Sequence, residues 1–245
     1  MVTQIFPPNH TVGLDQSSPN FTENAKLRLN ELLTVLNRKL ADERVAAVHI
    51  IYHNPLTRLF LTQTDFLTHK YKLVLHQNNK DPSYADILRY ASKYLLMKIV
   101  VFINQDVYLG EGMEKANDRN LLCQKKVSYA LTRHGKQERY CDMSLNKIGY
   151  CNKWYSGASD TYVFCLTEPI SESLLTGSEI DSKSDSLGME NGWIWLFRHL
   201  GFKVLNPCSI LKTYHIHCIQ LHSKNRPKVK KRRKSALARP SRNLF

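Results

Sequence analysis

The sequence has no long hydrophobic run. No stretch approaches the roughly 18 consecutive apolar residues of a membrane-spanning helix, and the opening residues, MVTQIFPPNH, are too few and too polar for the apolar region of a signal peptide. We therefore expect a soluble chain without a membrane span, cytoplasmic by default. The composition, 42% hydrophobic and 23% charged, is typical of a globular protein rather than a disordered one.

Closely spaced cysteine pairs are also absent. The six cysteines are scattered, with no C-x-x-C pair, so the sequence predicts no structural zinc site. Cys165 and Cys218 lie in apolar or strand-like runs, and we interpret them as small buried hydrophobic residues. The spacing leaves the disulfide state open.

Acidic residues are missing from the C-terminal segment. Residues 224–245 contain ten Lys and Arg and no Asp or Glu, so only +4 of the formal net charge of +14 (14 minus 10) belongs to residues 1–223. The segment is polar and has no apolar period, so we expect a disordered basic tail. Such a tail suits non-specific contact with a polyanion, or nuclear import; a tail that only raises solubility is the equal alternative.

The rest of the chain alternates between helical and strand patterns. Residues 1–22 are rich in Pro, Asn and Ser and are predicted to be a flexible lead-in. Residues 25–40 have leucines at helical spacing, and Glu31 and Lys39 fall on the face expected to be polar and outward.

Three apolar runs predict strands at residues 45–53, 72–76 and 99–103, and Ser83 with Asp86 forms the pattern of a capping box before a helix. This alternation predicts one α/β domain, residues 23–223, with a mostly parallel central sheet and helices on both faces.

Six short motifs occur in order within residues 23–222: PSYADILRYAS, VFINQDVYL, ALTRH, SDTYVF, GMENGW and VLNPCSILKTYHIH. In this order they resemble a family of glycosyltransferases with the GT-A type nucleotide-diphospho-sugar transferase fold, which is Rossmann-like. The resemblance implies a nucleotide-diphosphate sugar as donor and an acceptor that it does not identify. It also implies a divalent metal ion, Mn²⁺ or Mg²⁺, at the diphosphate.

Asn104 and Asp106 follow the apolar run at residues 99–103. Ligands of open α/β sheets gather outside the carboxyl ends of the strands. GT-A enzymes typically place two aspartates flanking one residue there. Here the first is Asn104, so the resemblance implies one carboxylate and one amide oxygen at the metal and diphosphate. The alternative is a strand-ending turn without ligands; within the motif order we prefer the ligand interpretation.

His215 and His217 in TYHIHC share one face of an extended strand, because side chains alternate along it. The family often completes its metal site with a late histidine. We therefore expect one of these two residues to join Asp106 as a metal ligand, and the pattern does not choose between them. A purely structural role is the alternative.

Three further side chains are candidates for the reaction. Asp160 in SDTYVF lies at a loop–strand junction, and Glu190 in GMENGW lies before a buried helix; either could take the proton of the acceptor hydroxyl. For Glu190 the alternative is a carboxylate that only stabilises the helix start. Arg133 in ALTRH could bind the diphosphate through its guanidinium group, with a surface salt bridge as the alternative.

Three functions are consistent with these patterns. The first is a glycosyltransferase, and the second is a catalytically silent fold of the same type that binds a sugar or a protein partner. The third is a nucleic-acid-binding protein acting through the basic tail. The predicted domain contains no recognisable nucleic-acid-binding module, and charge alone gives only non-specific, salt-sensitive binding. We therefore prefer the first function.

Overall fold

The computed structural model describes residues 1–4, 21–65, 67–135, 151, 159–182, 188–216 and 236–245. Its strands are β1 Val2–Gln4, β2 Val48–Tyr52, β3 Leu73–Gln77, β4 Ile99–Ile103, β5 Val107–Leu109, β6 Val127–Leu131, β7 His134–Gly135, β8 Thr161–Cys165, β9 Lys203–Leu205 and β10 Thr213–His215. Its α-helices are α1 Phe21–Ala41, α2 Pro55–Gln63, α3 Tyr84–Tyr94, α4 Glu172–Leu175 and α5 Met189–His199.

Seven strands form the central sheet, in the order β3-β2-β1-β4-β8-β6-β9. β8 runs antiparallel to both of its neighbours, whereas the other four pairs are parallel. A second sheet has three strands in the order β5-β10-β7. The α/β class is therefore confirmed, and the central sheet is mixed and Rossmann-like.

Helices cover both faces of the central sheet. On β4, Val100 and Phe102 belong to the core that includes α3 and α5, whereas Ile99 and Val101 pack into the core on the opposite face. Residues of α1 and α2 pack on that opposite face beside β2. No helix among the described residues is long and apolar enough to cross a membrane.

The predicted flexible lead-in is wrong for its first residues. β1 lies inside the central sheet, where Val2 pairs with His49 of β2 and with Phe102 of β4. Val2 is fully buried. A strand of three residues is too short to show a period in the sequence, so its position depends on hydrogen bonds to its two neighbours. Residues 5–20 lie outside the described residues.

The outward face predicted for α1 is wrong at two residues. Glu31 and Lys39 are only 5% and 2% exposed. Together with Arg28 and Val35 they lie at positions i, i+3, i+7 and i+11, which form one stripe of a helix. α1 therefore buries a second, partly charged stripe in addition to its leucine face.

Two disulfide bonds link the described residues. Cys123 is bonded to Cys165 of β8, and Cys151 is bonded to Cys208. Cys165 is buried as expected, but as half of a disulfide rather than as a free hydrophobic thiol; Cys218 lies outside the described residues. The disulfide state that the spacing left open is thus described for these four cysteines.

The expectation of a disordered tail over residues 224–245 is corrected for its last ten residues. Ala238 is 3% exposed, and its carbonyl accepts a hydrogen bond from the side chain of Asn206 at 3.1 Å. The Tyr129 hydroxyl donates to the carbonyl of Leu244 at 3.1 Å. Residues 236–245 therefore pack on the domain, whereas residues 224–235 lie outside the described residues. Polyanion contact through this segment stays a prediction.

Deletion of residues 236–245 should destabilise the domain. The deletion removes one of the two acceptors of the Asn206 side-chain amide, the carbonyl of Ala238, and leaves the other, Thr132 Oγ1; Asn206 is fully buried. Leaving one buried polar group unpaired costs about 1–3 kcal/mol, which lowers the melting temperature of a domain of this size by several degrees. Thermal unfolding followed by circular dichroism measures the change.

The matched control is Phe245→Ala, because Phe245 is 71% exposed. This variant should melt like the parent. Equal melting temperatures for the parent and the truncated chain would contradict this prediction and support a domain that ends at residue 223.

Candidate active site

The candidate site lies at one edge of the central sheet. β4 and β6 run in the same direction and end at this edge, and β8, which runs the opposite way between them, begins there. The strand order changes direction between β1 and β4: β2 and β3 lie on one side of β1, and β4 lies on the other. Ligands of open α/β sheets bind at such a switch point, outside the carboxyl ends of the strands.

The residues after β4 form a turn that ends in a paired carboxylate. The Val107 amide donates to the carbonyl of Asn104 at 3.2 Å, so the strand-ending turn is present. Asp106 Oδ2 accepts a hydrogen bond from Arg28 Nη2 at 2.6 Å, and it lies 3.0 Å from His215 Nε2. Asp106 thus joins α1 and β10 to this turn.

Two glycines allow β10 to reach Asp106. Gly112 has a φ of +81°, and a Cβ built there would lie 1.9 Å from the carbonyl oxygen of Ile210. A Cβ at Gly110 would lie 2.4 Å from the Tyr214 ring. Only glycine permits this close approach, which seats β10 antiparallel to β5 with His215 opposite Val107.

Asn104, Asp160 and Arg133 form a second polar group beside the first. Asn104 Nδ2 donates to Asp160 Oδ1 at 2.8 Å, and Asp160 Oδ2 forms an ion pair with Arg133 Nη1 at 3.0 Å. Asp160 is 3% exposed. The Tyr84 hydroxyl donates to Asn104 Oδ1 at 3.5 Å. Asn104 therefore bridges α3 and the loop before β8.

Glu190, at the start of α5, adds a carboxyl group to this second group. Burial raises the pKa of Glu190 above its ordinary value, and the negative charge of Asp160 raises it further. Backbone hydrogen bonds and the positive charge of Arg133 oppose this shift. Burial also raises the pKa of Tyr84 well above its ordinary value, together with the charges of Glu190, Asp160 and Asp106.

Arg28 and Lys39 belong to the site, and the sequence patterns did not assign them to it. Lys39 Nζ donates to the carbonyl oxygen of Asn104 at 2.8 Å and lies 3.4 Å from that of Gln105. Burial lowers the pKa of Lys39 to about 7, against the opposing charge of Asp106. Burial lowers the pKa of Arg28, but the charges and hydrogen bonds of Asp106 and Glu31 outweigh this effect, so the pKa of Arg28 is raised overall. The charged stripe of α1 was the available signal.

Six of the seven side chains predicted from the sequence are described, and they lie in these two polar groups: Asn104, Asp106, Arg133, Asp160, Glu190 and His215. His217 lies outside the described residues. Contact between a late histidine and Asp106 was expected, and His215 makes it. Their roles in binding and catalysis stay predictions.

A divalent metal ion does not fit the described side chains as they are arranged. Arg28 and His215 both contact Asp106 Oδ2, and the Asn104 amide is engaged with Asp160 and Tyr84. Mg²⁺ and similar ions require several oxygen ligands. The described residues contain no group of three or more His, Cys, Asp or Glu side chains that could hold a metal ion.

Comparisons with known proteins give distant similarities of fold. No protein-family model and no curated protein matches the chain. HddC from Yersinia pseudotuberculosis is 14% identical, with a TM-score of 0.41 over 88% of this chain and 92% of that one. HddC complexed with GMP-PN is 12% identical, with a TM-score of 0.40 over 75% of this chain and 78% of that one.

A third solved structure, TarS 1-349 from S. aureus, is 12% identical, with a TM-score of 0.31. The match covers 66% of this chain and 45% of the TarS chain. At identities of 12–14% and TM-scores of 0.31–0.41, these likenesses carry no argument about the activity of this chain.

Lys39→Met should flatten the dependence of stability on pH in alkaline solution. The pKa of Lys39 is lowered from 10.5 to about 7, so between these values the unfolded chain binds a proton that the folded chain does not. The free energy of unfolding must therefore rise with pH, by up to about 1.4 kcal/mol per pH unit from this residue. Denaturant unfolding between pH 8 and about 10 measures the slope.

This range avoids the amino group of Met1, whose pKa burial and the charge of Lys39 lower from 8.0 to about 5. Lys26→Met is the matched control, because Lys26 lies on the same helix and is exposed. It should keep the slope of the parent. If Lys39→Met also keeps that slope, Lys39 is charged in the folded protein across this range, contrary to our interpretation.

Proposed function

We propose that the chain is a glycosyltransferase that moves a sugar from a nucleotide-diphosphate donor to an acceptor hydroxyl. The observation that carries this proposal is the convergence of the predicted side chains. Residues from five separate motifs, between positions 104 and 215, lie together at the switch point of an α/β sheet. If these residues only formed a strand-ending turn and surface salt bridges, there would be no reason for all of them to lie at one place.

The donor diphosphate is assigned to the edge between β4 and β6. Arg133 is the most exposed cation of the site, with 25% of its side chain accessible, compared with 11% for Arg28. A guanidinium group has five N–H donors and suits phosphate oxygens. Arg133 is therefore the residue we assign to the diphosphate.

Glu190 is assigned as the general base. Asp160 is the other candidate, but its Oδ1 accepts from Asn104 and its Oδ2 is paired with Arg133. Glu190 is only partly buried, and its pKa is raised. A base is most effective when its pKa lies near the working pH, so the environment of Glu190 favours this role.

The bond changes follow from this assignment. The oxygen of the acceptor hydroxyl attacks the anomeric carbon of the donor sugar, and its proton passes to Glu190. The bond between that carbon and the diphosphate breaks, and the diphosphate leaves with the electron pair. Arg133 stabilises the negative charge that develops on the leaving group.

The donor site is tested by calorimetric titration with UDP, GDP, ADP and CDP, once with Mn²⁺ and once with EDTA. We expect at least one of them to bind in at least one buffer. Arg133→Gln should weaken that binding by about tenfold or more, since a hydrogen bond to a charged group contributes about 1.5–3 kcal/mol. Arg198→Gln, at an exposed position of α5, should bind like the parent. No binding of any nucleotide in either buffer would contradict the donor site.

Glu190→Gln should lower donor turnover by about 10²–10⁴-fold, the usual contribution of general-base catalysis, while donor affinity is unchanged. Release of the nucleoside diphosphate from the nucleotide sugar measures turnover. The acidic limb of the kcat/KM profile should lie above the ordinary carboxyl pKa of 4.5 in the parent and disappear in the variant.

Glu168→Gln is the matched control, since the side chain of Glu168 is 77% exposed, and it should retain full turnover. A Glu190→Gln variant as fast as the parent would exclude Glu190 as the base. Donor binding without any turnover would favour the catalytically silent alternative.

A further inference from the structure

The Asp106 carboxylate already holds a cation that belongs to the chain. Arg28 Nη2 lies 2.6 Å from Asp106 Oδ2, at the end of β4 where the expected metal ion would be bound. We propose that Arg28 is the resident cation of the Asp106 site, so that this site takes no divalent metal ion and a nucleoside diphosphate binds to the protein without one. The part that concerns the nucleotide rests on the proposed function.

Arg28 is held in place from three sides. Besides Asp106, its guanidinium donates from Nη1 to Glu31 Oε2 at 2.7 Å and to the carbonyl of Ile216 at 3.2 Å. The side chains of Arg28 and Glu31 are 11% and 4% exposed. Moving Arg28 aside would leave two poorly hydrated carboxylates without their partner, which is strongly unfavourable. An incoming metal ion would have to displace this arrangement.

The other predicted ligands are also turned toward protein groups. His215 presents Nε2 to the carboxylate of Asp106 at 3.0 Å, and a ring nitrogen that donates to a carboxylate carries a proton and cannot ligate a metal ion. The Asn104 amide nitrogen faces Asp160, and its oxygen faces the Tyr84 hydroxyl.

The charge of Arg28 also opposes metal binding. A divalent ion bound at Asp106 would lie close to the guanidinium group of Arg28 and be repelled by it, and repulsion is only weakly screened in a buried site. Behind the same turn, Lys39 Nζ donates a hydrogen bond to the carbonyl oxygen of Asn104 at 2.8 Å. Geometry and charge thus both argue against a divalent ion at Asp106.

The proposal predicts a gain of metal binding when Arg28 is removed. Arg28→Met removes the cation that lies between the Asp106 and Glu31 carboxylates, so that two carboxylates, the oxygen ligands that Mn²⁺ takes, face the vacated space. Titration with Mn²⁺ alone, followed by the electron paramagnetic resonance signal of the free ion, should show no site in the parent and one site in Arg28→Met. The double variant Arg28→Met/Asp106→Asn should lose it again.

Arg28→Lys is the matched control, because it keeps a positive charge beside Asp106, and it should bind no Mn²⁺. Thermal unfolding establishes that each variant is folded. Mn²⁺ binding by the parent that Asp106→Asn removes would overturn the proposal, and so would a folded Arg28→Met variant that gains no site.

The nucleotide titration of the parent supplies a test that needs no variant. We expect the affinity for the nucleoside diphosphate to agree within about twofold between EDTA and Mn²⁺. Affinity at least about tenfold higher in Mn²⁺ would overturn the metal-independent site while supporting the donor function. Absence of binding in both buffers would contradict the donor function and with it the nucleotide part of the proposal, and the Mn²⁺ titrations alone would then decide the role of Arg28.

Discussion

Buried charge is the constraint on which the candidate site depends. α1 directs Arg28 and Lys39 toward the turn after β4. An ionised group is tolerated in a protein interior only when it is paired and hydrogen-bonded. Arg28 meets two carboxylates, and Lys39 meets two backbone carbonyls. α1, the turn and β10 therefore cannot move apart inside the folded domain without leaving several buried charged and polar groups unpaired at once.

This constraint also answers what an acidic residue does at the end of a buried strand. Asp106 lies in a turn, and its carboxylate is the common partner of Arg28 and His215, which lie 78 positions before it and 109 positions after it. The turn interpretation and the site interpretation of Asp106 are therefore compatible. The turn aims the carboxylate, and the two basic side chains bring α1 and β10 to it.

Local periodicity was sufficient to predict the parts of the fold that carry their signal within a few residues. The capping box of α3 is an example: Ser83 Oγ accepts from the Asp86 amide at 3.1 Å, and the Ser83 amide donates to Asp86 Oδ2 at 2.9 Å. β4 likewise follows its apolar run, at residues 99–103.

The features that the sequence did not predict depend on contacts between distant residues. β1 is a strand because it pairs with β2 and β4. The disulfide bond joins Cys123 and Cys165, which are 42 residues apart in the sequence. Ala238 packs on the domain where its carbonyl accepts a hydrogen bond from the buried amide of Asn206. Lys39 was placed on the outward face because it is charged, although its stripe on α1 contains buried Val35. A count of charge on a helix face does not reveal that another element covers it.

Asn104 stands where the GT-A enzymes that the motifs resemble typically have the first of two aspartates, and its side chain suits the same geometry. Its amide nitrogen donates to Asp160 Oδ1 at 2.8 Å; an aspartate there would bring two carboxylate oxygens to that separation, and one of them would have to be protonated. With Asn104 neutral, Asp106 is the carboxylate that the turn presents to Arg28. The second carboxylate on Arg28 is Glu31, which lies on α1 and not in the turn. The neutral side chain at position 104 and the buried arginine at Asp106 are therefore electrostatically consistent with each other.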